Sequence, residues 1–380
     1  MTALIPMEAD DPAQLGVALR RALEGGPALG FGMLADIPAH VPVGTAAVIA
    51  TSGSSGIPKR VALTGEALRA SADATAARIG EGRWLLALPT GYVAGLQVLV
   101  RSILAGTEPV ALEGAFSSES FARVTLSMLR HGDEALYTSL VPAQVATLLD
   151  AAGDVAVRAA LQAYRAILVG GQSLPEPLRE RAADLGVRLV RTYGSTETSG
   201  GCVYDGVPLD TVSVRSVDGE LRIAGAMLAE GYLGDDLLSS RIFERDEHGI
   251  RWYRTGDLGI VEDGVVRVHG RADNVIVSGG INVSLDRVEQ IVRQVPGLHE
   301  AVVVGIGDER WGEASVVVAP RGEVLRRSEA DQLVQARDAV AEALGKHARP
   351  ASLILVDEIA TLASGKPDRE AIRRIVAELH

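Results

Sequence analysis

From residue 46 to residue 190 the chain repeats one pattern, in which a short apolar run is followed by a longer mixed stretch with helical spacing. The apolar runs fall at 46–51, 60–63, 84–88, 135–137, 166–169 and 188–190. Runs of this length suit buried strands, and the stretches between them suit the helices that cover a sheet. This alternation leaves little room for an all-helical or all-β fold and predicts a layered α/β domain. Two local signals support it. Residues 12–24 carry Leu15, Leu19 and Leu23 at helical spacing beside Val17, and Thr64 stands where it can cap a helix with Glu66 in the first turn. Aromatic residues make up only 4%, so Ala, Val and Leu must fill the core.

The pattern then changes twice. Over 203–270 short β-like runs (212–214, 220–223, 264–268) are punctuated by Asp-Gly pairs at 205, 218 and 263, two of them in hairpin-like settings. This predicts a β-rich subdomain. After Gly270, the loop Ser278, Gly279, Gly280 leads to a helix near 284–294. Strands at 302–306 and 314–319, a helix at 328–344 and a strand at 352–356 complete a small α+β domain of two or three strands and two helices. A chain of 380 residues favours two domains. The expected division is 1–270 and 274–380, with a hinge near Asp273. No internal repeat and no low-complexity segment is visible.

Charge and cysteine content narrow the function. The formal net charge is −12, so the chain as a whole repels nucleic acid and anionic membranes, while local basic pockets for phosphates stay open. One cysteine, Cys202, leaves no internal disulfide and no multi-cysteine zinc site, and the seven histidines show no zinc-ligand spacing. Apolar runs fall short of the ~18 residues a spanning helix needs, and the longest candidate, 98–104, is broken by Arg101. The N-terminus carries acids where a signal peptide needs bases. A cytoplasmic protein without stable membrane insertion is the expectation; a homodimer is compatible with the sequence.

Four motifs carry chemistry. The first, 51–59, places Thr51, Ser52, Ser54, Ser55 and Lys59 among two glycines. Glycines let backbone N–H groups converge on an anion, and the hydroxyls and the lysine add donors and charge. The loop does not fit the GxxxxGK[ST] pattern and links strand to strand, which disfavours a P-loop NTPase; a Ser/Gly surface turn is the plain alternative. The second is Tyr193-Gly194-Ser195-Thr196-Glu197-Thr198, where a carboxylate beside hydroxyls suits magnesium held against phosphates, or equally a helix-capping loop. The third pairs Tyr253-Arg254-Thr255-Gly256-Asp257 with Gly270-Arg271-Ala272-Asp273; an Asp can accept two ribose hydroxyls and an Arg can add a contact, though each could be an ordinary turn residue or solvated charge. The fourth, Ser364-Gly365-Lys366-Pro367-Asp368-Arg369, puts a lysine on a glycine turn, which taken alone reads as an exposed side chain.

In this order, the motifs resemble the adenylate-forming superfamily of acyl-CoA synthetases, luciferases and peptide-synthetase adenylation domains over about residues 45–370. Only 50 residues precede the first motif, fewer than is usual for the large domain of that superfamily. That shortness, the stretch 93–101 and the stretch 198–206 resemble actinobacterial o-succinylbenzoate–CoA ligases of menaquinone biosynthesis. Tyr92 departs from that subfamily, which usually has histidine there, so the exact acid stays open.

The resemblance implies ATP, Mg2+ and CoA as reactants of a two-step ligase, with a small-molecule carboxylic acid as the other substrate. It implies that Thr51, Ser52, Ser54, Ser55 and Lys59 cradle the β,γ-phosphates, Thr196 contacts the α-phosphate and Glu197 holds magnesium. Gly170, Gly171 and Gln172 take the adenine side, Tyr193 stacks on the base, and Asp257 and Arg271 hold the ribose. Lys366 bridges the attacking carboxylate and the α-phosphate. Tyr92, Thr138, Ser139, Gly200, Gly201 and Val203 line the acyl pocket, and a small mobile domain turns about Asp273 to present Ser278, Gly279 and Gly280 to the CoA thiol. A CoA ligase for another aryl or short acyl acid, an adenylation domain loading a carrier protein, and a nucleotide-binding regulator without turnover are the alternatives. Retention of both Glu197 and Lys366 argues against the last.

Overall fold

A computed structural model gives the fold and describes residues 1–7, 12–32, 38–51, 59–130, 132, 134–308, 311–321, 329–362 and 366–379. The large N-terminal domain holds three sheets. In the seven-stranded sheet, Leu189–Ser195, Tyr164–Val169, Leu136–Leu140, Arg83–Leu86 and Val110–Ala111 run parallel in that spatial order. Leu136–Leu140 is buried at every position, as expected of a strand covered on both faces. A six-stranded sheet lies beside it, with Thr45–Thr51 and Lys59–Thr64 as an antiparallel pair near its middle. The two sheets share one apolar core through the helices Gly65–Ile79 and Val93–Leu104, where Leu68, Leu96 and Leu99 are fully buried. Thr64 begins the first of these helices as expected, its Oγ1 accepting from the Ala67 N–H at 3.0 Å. Leu99→Ala would leave a cavity at this junction and cost about 2–5 kcal/mol.

The first 50 residues contribute more than the single helix expected of them. That helix forms at Pro12–Leu23, but Thr2–Pro6, Ala28–Phe31 and His40–Val41 are also strands of the six-stranded sheet. These strands are short and carry no alternation, so only long-range pairing defines them.

The β-rich stretch is not one self-contained unit. Gly200–Tyr204 and Val207–Pro208 extend the seven-stranded sheet, and Gly231–Tyr232 crosses to the edge of the six-stranded one. The rest, from Ser213–Val217 to Val265–Arg271, forms a five-stranded antiparallel sheet. All three Asp-Gly pairs, not two, sit at hairpin tips. Asp205, Asp218 and Asp263 have φ of 49°, 52° and 51°, each followed by a glycine of positive φ. Two successive left-handed residues match the twist of the paired strands.

The small C-terminal domain also exceeds expectation, with five strands and three α-helices among the described residues. Val275–Ser278 and Ile281–Ser284 form a hairpin around Gly279 and Gly280, and Arg369–Leu379 is a third helix. Strand alternation explains why that helix docks. Val303 and Val317 face a core with Val288 and Val340, while Val302, Val304, Val316 and Val318 face Ile372 and Val376 of the terminal helix. Among the described residues, no helix is long and apolar enough to cross a membrane.

Candidate active site

Strand Leu189–Ser195 marks a change in the seven-stranded sheet: it is parallel to Tyr164–Val169 on one side and antiparallel to Gly200–Tyr204 on the other. Ligand crevices in α/β sheets open at the carboxyl ends of parallel strands. Beyond that end, Thr196–Thr198 makes one 3-10 turn and Ser199 takes φ 51°, a left-handed conformation uncommon without glycine. The surroundings over-determine it. The Ser199 carbonyl accepts from Gln97 Nε2 at 2.8 Å and from Ser71 Oγ at 2.9 Å, and Ser199 Oγ donates to the Met227 carbonyl at 2.8 Å.

This turn fixes Glu197, which is 9% exposed. Its Oε1 accepts from the Tyr232 hydroxyl at 2.9 Å, and its carbonyl accepts from the Ala229 N–H at 2.8 Å. Tyr232 belongs to the edge strand beside Lys59–Thr64, and the Lys59 ammonium lies 5.5 Å from the centre of its ring. One tyrosine therefore joins the end of the first motif to Glu197. No periodicity or motif in the sequence marks it. Thr51 and Lys59 pair directly in the ladder, and Thr51 Oγ1 donates to the Lys59 carbonyl at 3.3 Å, so the loop between them is closed at its base. Ser52, Ser54 and Ser55 lie outside the described residues, as do Ser364 and Gly365.

Asp257 and Arg271 stand directly opposite each other in neighbouring strands. Asp257 Oδ2 accepts from the Tyr193 hydroxyl at 2.6 Å, and Oδ1 lies 3.3 Å from Arg271 Nη1. Burial pushes the Asp257 carboxyl above the ordinary carboxylate range, opposed by the Tyr193 hydrogen bond and by the Arg271 charge. Burial, then the nearby carboxylate, pushes the Tyr193 hydroxyl far up, so it remains a donor. Arg271 Nη1 donates to the Thr255 carbonyl at 3.0 Å, and Nε and Nη2 fork onto Asp273 at 3.0 and 3.1 Å. Gly256, at φ 69°, leaves room for that guanidinium: a Cβ there would lie 3.2 Å from Arg271 Nη2.

Lys366 comes from the other domain. Its segment is tied back by a bridge between Thr361 and Pro367 and by the Leu362 N–H donating to the Lys366 carbonyl at 2.8 Å. Its Cε lies 3.9 Å from where a Cβ on Gly171 would stand. Although the residue as a whole is solvent-exposed, its ammonium sits among protein atoms. Desolvation lowers its pKa below the ordinary lysine value, opposed by Asp257 and Glu197 and reinforced by Arg271. The C-terminal lysine thus lies against Gly171, close enough to Asp257, Glu197 and Arg271 for their charges to act on it.

The remaining residues frame this place. Gly170, Gly171 and Gln172 follow strand Tyr164–Val169, and the Gly170 N–H donates to the Leu140 carbonyl at 3.2 Å. Tyr92 is 37% exposed at the start of helix Val93–Leu104. Ser139 is buried near the end of its strand, while Thr138 is fully buried with Oγ1 donating to the Leu85 carbonyl at 2.9 Å. Val203 packs in the shared core. Gly200 and Gly201 permit close packing, since a Cβ would lie 3.3 Å from Gln97 Cγ at the first and 3.0 Å from Thr192 Cβ at the second. One turn along the helix from Gln97, Arg101 is 7% exposed and stacks 4.9 Å from the Trp84 ring centre. Among the described residues it has no carboxylate partner within 4 Å. A cavity of about 50 Å3 adjoins it, bounded by Trp84, Thr75, Gly80 and the carboxylate residues Asp73 and Glu81. In the sequence Arg101 interrupts an apolar run and ends the stretch 93–101; the fold reveals that its charge is buried. Trp311, 48% exposed, packs against Gly279, and the Gly279 N–H donates to its carbonyl at 2.8 Å.

The oxygen-rich surroundings of Glu197 fit a hard divalent cation such as magnesium, which favours oxygen ligands. Among the described residues there is no group of three His, Cys, Asp or Glu side chains able to hold a metal alone. A cation here would therefore share its ligands with a bound phosphate.

Comparison with known proteins identifies the family. The AMP-binding enzyme family matches residues 33–233, and the AMP-binding enzyme C-terminal domain matches 287–366. A probable 2-succinylbenzoate–CoA ligase of Mycobacterium tuberculosis is 41% identical over 339 residues, covering 88% of this chain and 85% of that protein. The structure of o-succinylbenzoate CoA synthetase from Bacillus subtilis with its acyl-adenylate intermediate superposes with a TM-score of 0.74 at 25% identity, over 97% of this chain and 83% of that one. The same enzyme with ATP and magnesium gives 0.74 at 25%, over 98% and 84%. The chain belongs to the AMP-binding enzyme family.

Proposed function

We propose that the chain is an ATP-dependent acid–thiol ligase that converts 2-succinylbenzoate to its CoA thioester in two steps. The observation that carries the reading is the convergence of Lys366 from the small domain with Asp257, Glu197 and Arg271 of the large one. In the first step an oxygen of the acid's carboxylate attacks the α-phosphorus of ATP, and pyrophosphate leaves. Two anions must meet, so positioned positive charge and hydrogen-bond donors supply most of the catalysis. Lys366 neutralises the attacking carboxylate and the α-phosphate together, and Thr196 offers a hydroxyl to the same phosphate. Thr51 and Lys59, with Ser52, Ser54 and Ser55 between them, cradle the β,γ-phosphates. Asp257 receives the ribose hydroxyls, releasing the Tyr193 hydroxyl so that its ring can face the adenine beside Gly170, Gly171 and Gln172. Arg271 remains forked onto Asp273 beside the ribose. Glu197 would hold magnesium, whose charge would offset that of the phosphates.

In the second step the small domain turns about Asp273. Lys366 withdraws, and the turn at Ser278, Gly279 and Gly280, with Trp311 packed on it, faces the site. The thiolate of CoA attacks the acyl carbonyl and AMP leaves with the oxygen. A need for ATP and CoA supports a cytoplasmic location.

Arg101 supports an acid with two carboxylates. A buried guanidinium lacking a carboxylate partner is costly, and a substrate carboxylate that reaches it restores the pairing. 2-Succinylbenzoate carries a second carboxylate across an aromatic ring and short chain from the one that is activated. Tyr92 and Ser139, with Gly200 and Gly201, bound the space between, while Thr138 and Val203 back it from the core. A test panel of 2-succinylbenzoate, benzoate, a long-chain fatty acid and an amino acid, read by pyrophosphate release with ATP, magnesium and CoA, checks the assignment. 2-Succinylbenzoate should support the fastest thioester formation; a wide margin for the fatty acid would overturn it.

A further inference from the structure

Asp286, in the first turn of helix Leu285–Val292, accepts hydrogen bonds from both sides of the expected hinge. Its Oδ2 accepts from the Arg271 backbone N–H at 2.7 Å, and its Oδ1 accepts from Asn274 Nδ2 at 2.7 Å. Arg369 Nη2 lies 3.5 Å from Oδ1. The carboxylate is 17% exposed, so these bonds are partly shielded from water. Arg369 is itself fixed, with Nη1 on the Val303 carbonyl and Nη2 on Glu289, both at 2.7 Å, and it lies three residues after Lys366. The large domain approaches closely at this point: a Cβ on Gly270 would lie 2.6 Å from Asp286 Cβ, and Gly270 has φ 139°. One carboxylate therefore gathers the strand end that carries Arg271, the residue just past Asp273, and the arginine at the base of the Lys366 segment.

We propose that Asp286 is a positioning residue for the adenylation step. It sets the small domain so that the Arg271 side chain and Lys366 reach the site together. The bonds on the two sides of Asp273 differ in consequence. Asn274 moves with the small domain, so its bond to Asp286 survives a turn at Asp273. The Arg271 N–H stays with the large domain, so its bond to Asp286 breaks in the same turn. The Arg271–Asp286 bond thus belongs to one arrangement only and weights the balance toward it. This inference rests on the two-step reading above.

The test separates the half-reactions in Asp286→Ala and Asp286→Asn, measuring pyrophosphate release with 2-succinylbenzoate and ATP, then thioester formation from chemically made acyl-adenylate and CoA. Asp286→Ala should slow adenylation about tenfold, the size expected for one lost charge-assisted hydrogen bond. It should leave thioester formation within about twofold of the parent, because the bonds lost there, to Asn274 and Arg369, lie within the small domain and favour neither arrangement. Asp286→Asn keeps an acceptor for the Arg271 N–H and should fall between the two, and it decides the matter if the alanine variant does not fold. A merely structural role would lower both half-reactions together; that result, or no change in either, overturns the proposal. Lys366→Ala run alongside separates the two failures. If it too loses both half-reactions equally, the two-step reading falls and the role of Asp286 with it. If it loses adenylation alone while Asp286→Ala does not, only the positioning role falls.

Discussion

The site has two parts that are held in opposite ways. Asp257 is fixed by Tyr193 at 2.6 Å and by Arg271, within strands whose neighbours pair along their length. The described residues around Lys366 are tied by the Thr361–Pro367 bridge and two backbone hydrogen bonds, Leu362 N–H to the Lys366 carbonyl and Asp368 N–H to the Ala360 carbonyl, and the Lys366 side chain reaches toward the large domain. In the proposed reaction, the groups that hold the nucleotide through both steps sit on sheets, where preorganisation is cheap to maintain, and the group needed in one step only comes from the small domain. The contrast predicts that damage to the fixed part weakens nucleotide binding throughout, whereas damage to the reaching part is selective for one half-reaction.

Removing the reaching lysine should have the largest effect. Lys366→Ala should lower the adenylation rate by about a thousandfold, as for a lost electrostatic stabiliser combined with lost orientation. Consumption of prepared acyl-adenylate with CoA should stay near the parental rate. Equal losses in a stopped assay of each half-reaction would erase the contrast. The pH profile sharpens it. The charged ammonium is the active form, and desolvation lowers its pKa. Adenylation should therefore fall as pH rises, beginning below the pH at which an ordinary lysine loses its proton. Thioester formation from acyl-adenylate should lack that component, and in Lys366→Arg the fall should disappear, because a guanidinium stays charged. A fall that persists in Lys366→Arg would assign it to another group.

In the fixed part, Asp257→Ala should weaken ATP binding about ten- to hundredfold, since it removes charge-assisted acceptors for the ribose. Calorimetry with ATP should register this loss with little change in acid binding. Unchanged ATP affinity in a folded variant would take Asp257 out of the nucleotide site.

A smaller effect is expected at the far end of the acyl side. Arg101→Met keeps the bulk over Trp84 and removes the charge. The KM for 2-succinylbenzoate should rise about tenfold, with benzoate and ATP little affected. A uniform rise for both acids would make Arg101 a packing residue. Smallest of all, Gly201→Ala should raise the acid's KM a fewfold and leave ATP's alone. The added methyl must displace Thr192 by only a few tenths of an ångström. Equal effects on both KM values would place Gly201 outside the acyl pocket.

The fixed and reaching parts were unequally legible in the sequence. Motifs compress well: Glu197, Asp257, Arg271 and Lys366 each stand in a short run of glycines and hydroxyls, and their order along the chain carries the resemblance. What those runs do not encode is the support behind them. Tyr232 supplies a hydroxyl to Glu197 from a two-residue edge strand, and Gln97 holds Ser199 from a helix a hundred residues away. Neither has a spacing signal, because its partner is distant in sequence. Four of the five parallel strands described in the seven-stranded sheet were readable as continuous apolar runs, Val110–Ala111 being the exception. The three short strands of the first 50 residues were not, since strands of two to five residues are defined by what they pair with. The hairpin Val275–Ser278 with Ile281–Ser284 was read as a loop because its glycines dominate a window of mixed polarity. The terminal helix escaped notice because only two of its residues are buried.

The central claim is that acid and ATP react before CoA is needed. The most direct measurement mixes the protein with 2-succinylbenzoate, ATP and magnesium, without CoA, at enzyme concentrations high enough to count sites. The account predicts a burst of pyrophosphate equal to the sites present, an acyl-adenylate retained on the protein, and AMP and thioester released when CoA is added. Pyrophosphate that appears only after CoA is present, or ADP and phosphate in place of AMP and pyrophosphate, would contradict it.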